Sequence, residues 1–222
     1  MVFADRRDAG RRLAAALDHL RDRRPVVVAI PRGGVVVGWE VATHLQAPLE
    51  VIVPRKLRAP YNPELALGAV AEGGAVYIDE EIARGVGAAY LEQEIAAQRA
   101  EIARRVEVYR GGRPLPPLTA YAAIVVDDGI ATGATMVAAL RAIRTMGSAR
   151  LVAAVPVAPP EGVARLAREA DEVVCLAAPP VFHAVGQFYA DFSQVSDAEV
   201  IALLAARAAG DSTVGHTEDG RT

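Results

Sequence analysis

The sequence predicts an α/β fold in which a parallel sheet is covered by helices on both faces. Three observations carry that expectation. Continuous apolar runs rich in β-branched residues recur, notably Val26 to Ile30 and Ala122 to Val126, and such runs mark strands buried on both faces. Stretches with apolar residues at helical spacing alternate with them, which is the order a parallel sheet with crossover helices requires. Two of the strands end in glycine-bearing turns that lead directly into helices, Pro31-Arg32-Gly33-Gly34 and Asp127 to Gly133. The 222 residues, 52% hydrophobic and 23% charged, suit one globular domain, placed at residues 1–209 with a flexible polar tail at 210–222.

In chain order, Leu13, Leu17 and Leu20 give a narrow apolar stripe to an Arg-rich helix from about Asp5 to Arg24, which Pro25 stops. Val26 to Ile30 is a buried strand, and Val35 to Leu45 the helix that follows its turn. Leu49 to Val53 is a second strand leading through Pro54-Arg55-Lys56 into a basic loop punctuated by Pro60 and Pro63. Ala69 to Ala71 and Ala75 to Ile78 flank Glu72-Gly73-Gly74 and read as a short hairpin. A surface helix follows from Ala88 to Tyr109, with Leu91, Ile95, Ile102 and Val106 on one side, and Gly111 to Pro117 is a linker by composition. Residues 57–118 thus form a flap and helix region set between the two runs of core elements. The core then resumes: strand Ala122 to Val126, helix Gly133 to Met146, strand Leu151 to Val155, helix Glu161 to Glu169, strand Glu172 to Leu176. The aromatics Phe182, Phe188, Tyr189 and Phe192 close the core as a C-terminal hood. A helix from Asp197 to Ala208 follows, capped by Ser196 with Glu199 at the capping-box position.

The formal net charge of -3 argues against a nucleic-acid binder, which needs a surplus of cations for backbone phosphates. Cys175 is the only cysteine, so no intrachain disulfide can form, and a reducing cytoplasm is the expected location. No apolar run approaches the roughly 20 residues that span a bilayer, and Met1 to Arg12 leads into no signal-peptide core. No membrane partner is expected.

The most informative run is Asp127-Asp128-Gly129-Ile130-Ala131-Thr132-Gly133-Ala134-Thr135, where a buried strand ends and a helix begins. α/β sheets bind ligands at such positions, and the exposed amides of a helix N-terminus favour an anion. Gly129 and Gly133 let the backbone bend around a bound group, while Thr132 and Thr135 add hydroxyls. Two carboxylates before the turn repel a bare phosphate but suit a ligand that also carries hydroxyls and develops positive charge. The competing bland reading is an Asp-Gly turn with Thr132 as a helix cap.

At these residues the chain resembles the type I phosphoribosyltransferases, whose signature is an apolar strand, two acidic residues, two or three variable positions, then Thr-Gly-x-Thr or Thr-Gly-x-Ser. The resemblance covers roughly Val26 to Leu176 and implies a Rossmann-like core that binds phosphoribosyl pyrophosphate. By it, Asp127 and Asp128 meet the ribose 2- and 3-hydroxyls directly or through metal, as the catalytic pair. Ala131, Thr132, Gly133, Ala134 and Thr135 wrap the 5-phosphate. The loop after the first core strand is expected to hold pyrophosphate, through Arg32, Gly33 and Gly34, with Lys56 as a further contact. A strained peptide in that loop is a hypothesis. Mg2+ or Mn2+ is implied, held chiefly by ligand oxygens. His19, His44, His183 and His216 show no metal-ligand spacing.

Two departures limit the resemblance. The stretch between Leu57 and Leu118 is longer than the family's usual catalytic loop, which makes it an insertion, so no loop residue is carried over. Ala131 stands where 6-oxopurine enzymes of the family commonly have an acid, which makes hypoxanthine or guanine a poor acceptor. The acceptor is expected under the segment after the last core strand, at Phe182, Phe188, Tyr189 and Asp191. The resemblance implies transfer of a 5-phosphoribosyl group to a nitrogen nucleophile such as a nucleobase, by a homodimer. A non-catalytic sensor of the same donor, or its hydrolysis, are the alternatives.

Overall fold

The computed structural model describes residues 2–214 and has two sheets. The chain runs α1 (Arg6–Ala16), β1 (Pro25–Ala29), α2 (Gly33–Leu45), β2 (Leu49–Val51), β3 (Arg55–Ala59), β4 (Asn62–Val70) and β5 (Val76–Ile78). It continues through α3 (Ala88–Arg110), β6 (Ala122–Val126), α4 (Ala134–Thr145), β7 (Arg150–Val157), α5 (Pro160–Leu166), β8 (Glu172–Ala177) and α6 (Asp197–Val214). The larger sheet has the order β2-β1-β6-β7-β8 and is parallel throughout.

Its burial explains the uninterrupted apolar strands. Val27, Ala29, Ile124, Val126, Val152 and Ala154 pack into one cluster with residues of α1, α2 and α6. The alternate residues Val26, Val28, Ala123, Val125, Leu151 and Ala153 pack into another with α4. A strand with helices on both faces has no solvent side on which to place polar residues.

The strand order reverses between β1 and β6. From β1 the chain steps outward to β2, whereas from β6 it steps the other way to β7 and β8. The loops leaving β1 and β6 therefore diverge and open a crevice at the carboxyl ends of those strands, where sheets of this kind hold ligands.

The insertion carries more strand than expected. Residues 55–59 and 62–70, read as a basic loop and part of a hairpin, form β3 and β4 of an antiparallel sheet with order β3-β4-β5. The signal was a period of two: in Arg55-Lys56-Leu57-Arg58-Ala59 only Leu57 and Ala59 are buried. α3 lies against β3, and β4 against α4. The first helix is shorter than expected, because α1 gives way at Leu17 to a 3-10 segment over Asp18–Arg23. α6 extends to Val214, so the expected tail begins inside a helix, and residues 215–222 lie outside the described residues. No helix among the described residues is long and apolar enough to cross a membrane.

Candidate active site

The two glycine-bearing turns meet at the reversal of strand order. A Cβ on Gly33 would lie 1.9 Å from Asp128 Oδ2, and one on Gly34 would lie 2.9 Å from the Asp127 Cα. These positions need glycine because the acid pair presses on them, a cause that adds to the freedom of their amides. The Pro31–Arg32 peptide bond between β1 and α2 is cis. On the other side, Gly129 (φ 153°) packs where a Cβ would meet Val185 Cγ1 at 2.6 Å, and Gly133 (φ 79°) sets the first turn of α4.

A cleft of about 500 Å³ lies between the turns and the start of β3. Asp127, Asp128 and Thr135 line it from one side, and Arg32 and Gly33 from the other. Arg55, Lys56 and Arg58 line it from β3. The cleft thus joins the expected acid pair to the expected pyrophosphate contacts. Ala131 and Thr132 are exposed, Gly133 and Ala134 are buried, and the Ala134 amide points back at Thr132 Oγ1 at 3.5 Å.

The acids are tightly held. The Asp128 amide donates to Asp127 Oδ1 at 2.8 Å, and Arg6 Nε donates to Asp128 Oδ2 at 2.7 Å. The Tyr189 hydroxyl donates to the Asp128 carbonyl. Burial raises the Asp127 carboxyl well above its usual range, and the Asp128 charge adds to the effect. Burial also raises Asp128, while the Arg6 guanidinium beside it opposes the rise. The cations are looser. Lys56 and Arg58 are exposed, and Arg32 is 3.9 Å from Asp197 at the edge of ion-pair range. Arg55 alone is fixed, its Nε donating to Gln98 at 3.1 Å, and burial lowers its pKa.

A family model, the phosphoribosyl transferase domain, matches residues 5–193. The chain belongs to that family. It is 50% identical over 205 residues to proteins of two Mycobacterium tuberculosis strains that are provisionally named phosphoribosyl transferases. The match takes in 91% of this chain and 46% of each of those proteins, so the chain spans about half the length of the curated relatives it matches. The crystal structure of the protein TT1426 from Thermus thermophilus superimposes with a TM-score of 0.79 at 48% identity, over 93% of this chain and 99% of that one.

The residues expected to serve an acceptor are not gathered in the cleft. Phe188 and Tyr189 are buried, with Phe182 half-buried and stacked on Phe188 at 5.1 Å between ring centres. Asp191 is exposed and accepts from the Ser193 amide at 2.9 Å. None of these side chains lines the cleft that holds the acid pair. Sequence reasoning missed Arg6, which contacts that pair from outside the motif, and carried over no loop residue, although Arg58 lines the cleft. Among the described residues, no group of three or more His, Cys, Asp and Glu side chains is placed to hold a metal ion. Asp127 and Asp128 supply the carboxylate oxygens of the cleft, and one of those oxygens is already bound by Arg6.

Proposed function

We propose that the protein transfers a 5-phosphoribosyl group from phosphoribosyl pyrophosphate to a nitrogen nucleophile, a nucleobase in the simplest case. The bond from the anomeric carbon to pyrophosphate breaks, a bond to the acceptor nitrogen forms on the opposite face, and an acceptor that carries an N–H loses that proton to solvent. The observation that carries this reading is the single cleft in which Asp127, Asp128 and Thr135 face Arg32 and Lys56.

The roles follow from charge. The turn from Ala131 to Thr135 takes the 5-phosphate with hydroxyls and the amides at the start of α4. Asp127 and Asp128 accept the ribose hydroxyls and stand close to the anomeric carbon, where positive charge builds as the leaving group departs. Carboxylates fixed in advance stabilise that charge without rearranging. Arg32, Lys56 and the amides of Gly33 and Gly34 take the pyrophosphate. Mg2+ or Mn2+, when bound, neutralises the leaving group and fits a cleft whose own carboxylate oxygens are too few to cage it, the ligand supplying the remainder. Ala131 has no group that can move a proton, so the acceptor is one deprotonated elsewhere or already a free nitrogen base. Of the four expected acceptor contacts only Phe182 and Asp191 retain exposure, outside the cleft, and they are the two that could meet a base reaching beyond the acid pair.

The test is pyrophosphate release from the donor with Mg2+, across purine, pyrimidine and pyridine bases and a no-base control, with Asp128→Asn in parallel. Base-dependent release lost in the variant is expected. Release without a base would replace transfer by hydrolysis, binding without release would replace it by sensing, and failure to bind the donor would overturn the reading.

A further inference from the structure

We propose that Arg6, from the first turn of α1, is a positioning residue of this site: it fixes the Asp128 carboxylate so that the oxygen it leaves free accepts a ribose hydroxyl. The inference rests on the phosphoribosyl reading above.

The guanidinium is held on three sides. Nε donates to Asp128 Oδ2 at 2.7 Å, Nη1 donates to the Ser193 carbonyl at 2.7 Å, and the group lies 3.8 Å from the centre of the Phe192 ring. The Arg6 side chain is only 11% exposed and that of Asp128 14%. The β1–α2 turn closes over the pair, since a Cβ on Gly33 would stand 2.7 Å from Arg6 Nε. The partners of Arg6 are themselves anchored. The segment before α1 is bonded to the C-terminal segment by Phe3 N to Phe188 O at 2.8 Å and Ala190 N to Phe3 O at 2.8 Å. Asp191 N to Ala4 O at 2.9 Å completes the seam.

This arrangement solves a specific difficulty. The terminal torsion of an aspartate is broad, so an unheld carboxylate offers a given acceptor direction only part of the time. With Oδ2 committed to a clamped guanidinium, the plane of the carboxylate is fixed and its second oxygen has one direction. A buried ion pair contributes little net stability by itself, because desolvation offsets the attraction. A pair at the edge of a ligand cleft is therefore better explained by what it orients than by what it stabilises. A simple tether between α1 and the segment at Phe192 and Ser193 would need only the contacts to those two residues; the bond from Nε to Asp128 is additional.

The experiment measures binding of phosphoribosyl pyrophosphate and, separately, of inorganic pyrophosphate, each with Mg2+. The proteins are wild type, Arg6→Lys, Arg6→Ala, Asp128→Asn and the double variant Arg6→Ala/Asp128→Asn. Arg6→Ala should weaken the donor roughly 10- to 100-fold, the scale of a lost charge-assisted hydrogen bond. Pyrophosphate, which carries no ribose, should bind within about twofold of wild type, which also reports an intact fold. Arg6→Lys keeps the charge but cannot span Asp128, Ser193 and Phe192 together, and should fall between. In the Asp128→Asn background the Arg6→Ala loss should shrink to less than about threefold, the non-additivity of residues acting as one unit. Equal weakening of both ligands would make Arg6 a structural tie, and full additivity would make it an independent contact; either overturns the inference. Unchanged donor affinity in Arg6→Ala does so too. A wild-type protein that binds pyrophosphate but not the donor overturns the phosphoribosyl reading, and the inference with it.

Discussion

The two sides of the cleft are built on opposite terms. On the acid side, Asp127 and Asp128 are gripped by a backbone amide, by Arg6 and by glycines with no room for a methyl. On the cationic side, Lys56 and Arg58 are exposed, and the Arg32 side chain is 41% exposed with one contact at 3.9 Å. The difference matches the two halves of the proposed reaction. Charge that appears at carbon during transfer is stabilised best by groups already in place. A diphosphate that must enter and leave is better met by long side chains that adjust to it. The acid side should therefore carry turnover as well as ribose binding, and the cationic side donor affinity alone.

The most direct way to break the comparison is Asp127→Asn. Turnover in the pyrophosphate-release assay should fall roughly 100- to 1,000-fold, the range for removing one preorganised electrostatic group. A fall confined to KM would place Asp127 among the binding groups instead. The same variant has a pH signature in the metal-free protein. The Asp127 pKa is raised on folding from its ordinary 3.8, so above that value the folded protein holds a proton that the unfolded chain has released. Stability then declines as pH climbs from about 3.8 through the raised value. Urea unfolding across that window should show the decline in wild type and a shallower one in Asp127→Asn; identical slopes would remove the buried charge as its cause.

Gly33→Ala attacks the same side through packing. The added Cβ would lie 1.9 Å from Asp128 Oδ2, so the acid, the turn or both must shift. Overpacking of this kind costs about 1–3 kcal/mol, read from urea denaturation, with donor binding lost alongside. Gly87→Ala is the control: a Cβ there meets nothing within 4 Å, and stability should change by well under about 1 kcal/mol. Similar losses in both would show that backbone freedom, not the acid pair, dictates glycine at position 33.

How much of this was legible beforehand divides along the same line. β1 and β6 could be read because burial on both faces leaves a continuous apolar run, and the acid pair, glycines and threonines lie adjacent in sequence. β3 was hidden because it is half exposed and basic, and its two apolar residues are flanked by prolines that suggest a loop. Arg6 was hidden for a different reason. It is one of several arginines near the start of α1, and only the tertiary fold, across 122 residues of chain, brings it to Asp128. Gly33 is likewise visible in the sequence while its cause, Asp128, lies 95 residues further along the chain. Local patterns disclose which elements form, whereas the contacts that tune a site belong to the assembled sheet.

The cationic side is probed by Lys56→Gln. Lys56 lines the cleft and is exposed, so its removal should leave the fold intact. If it meets the diphosphate alike in the bound and transition states, KM for the donor rises roughly tenfold while kcat stays within about twofold. An equal fall in kcat would mean that Lys56 acts on the departing pyrophosphate, and the division between a turnover side and an affinity side would fail.

The smallest effect belongs to Tyr189→Phe. Its hydroxyl donates to the Asp128 carbonyl, while its ring packs against Phe3 and Phe192 with centres 5.3 and 5.0 Å away. Phenylalanine keeps that packing and removes one hydrogen bond, leaving a partly buried carbonyl without its partner. The expected cost is about 1 kcal/mol in urea unfolding. Donor affinity should change only a few-fold, because the Asp128 side chain keeps its clamp from Arg6. A loss of affinity as large as that of Arg6→Ala would mean that the backbone of Asp128, and not its carboxylate alone, must be held for the ribose to bind.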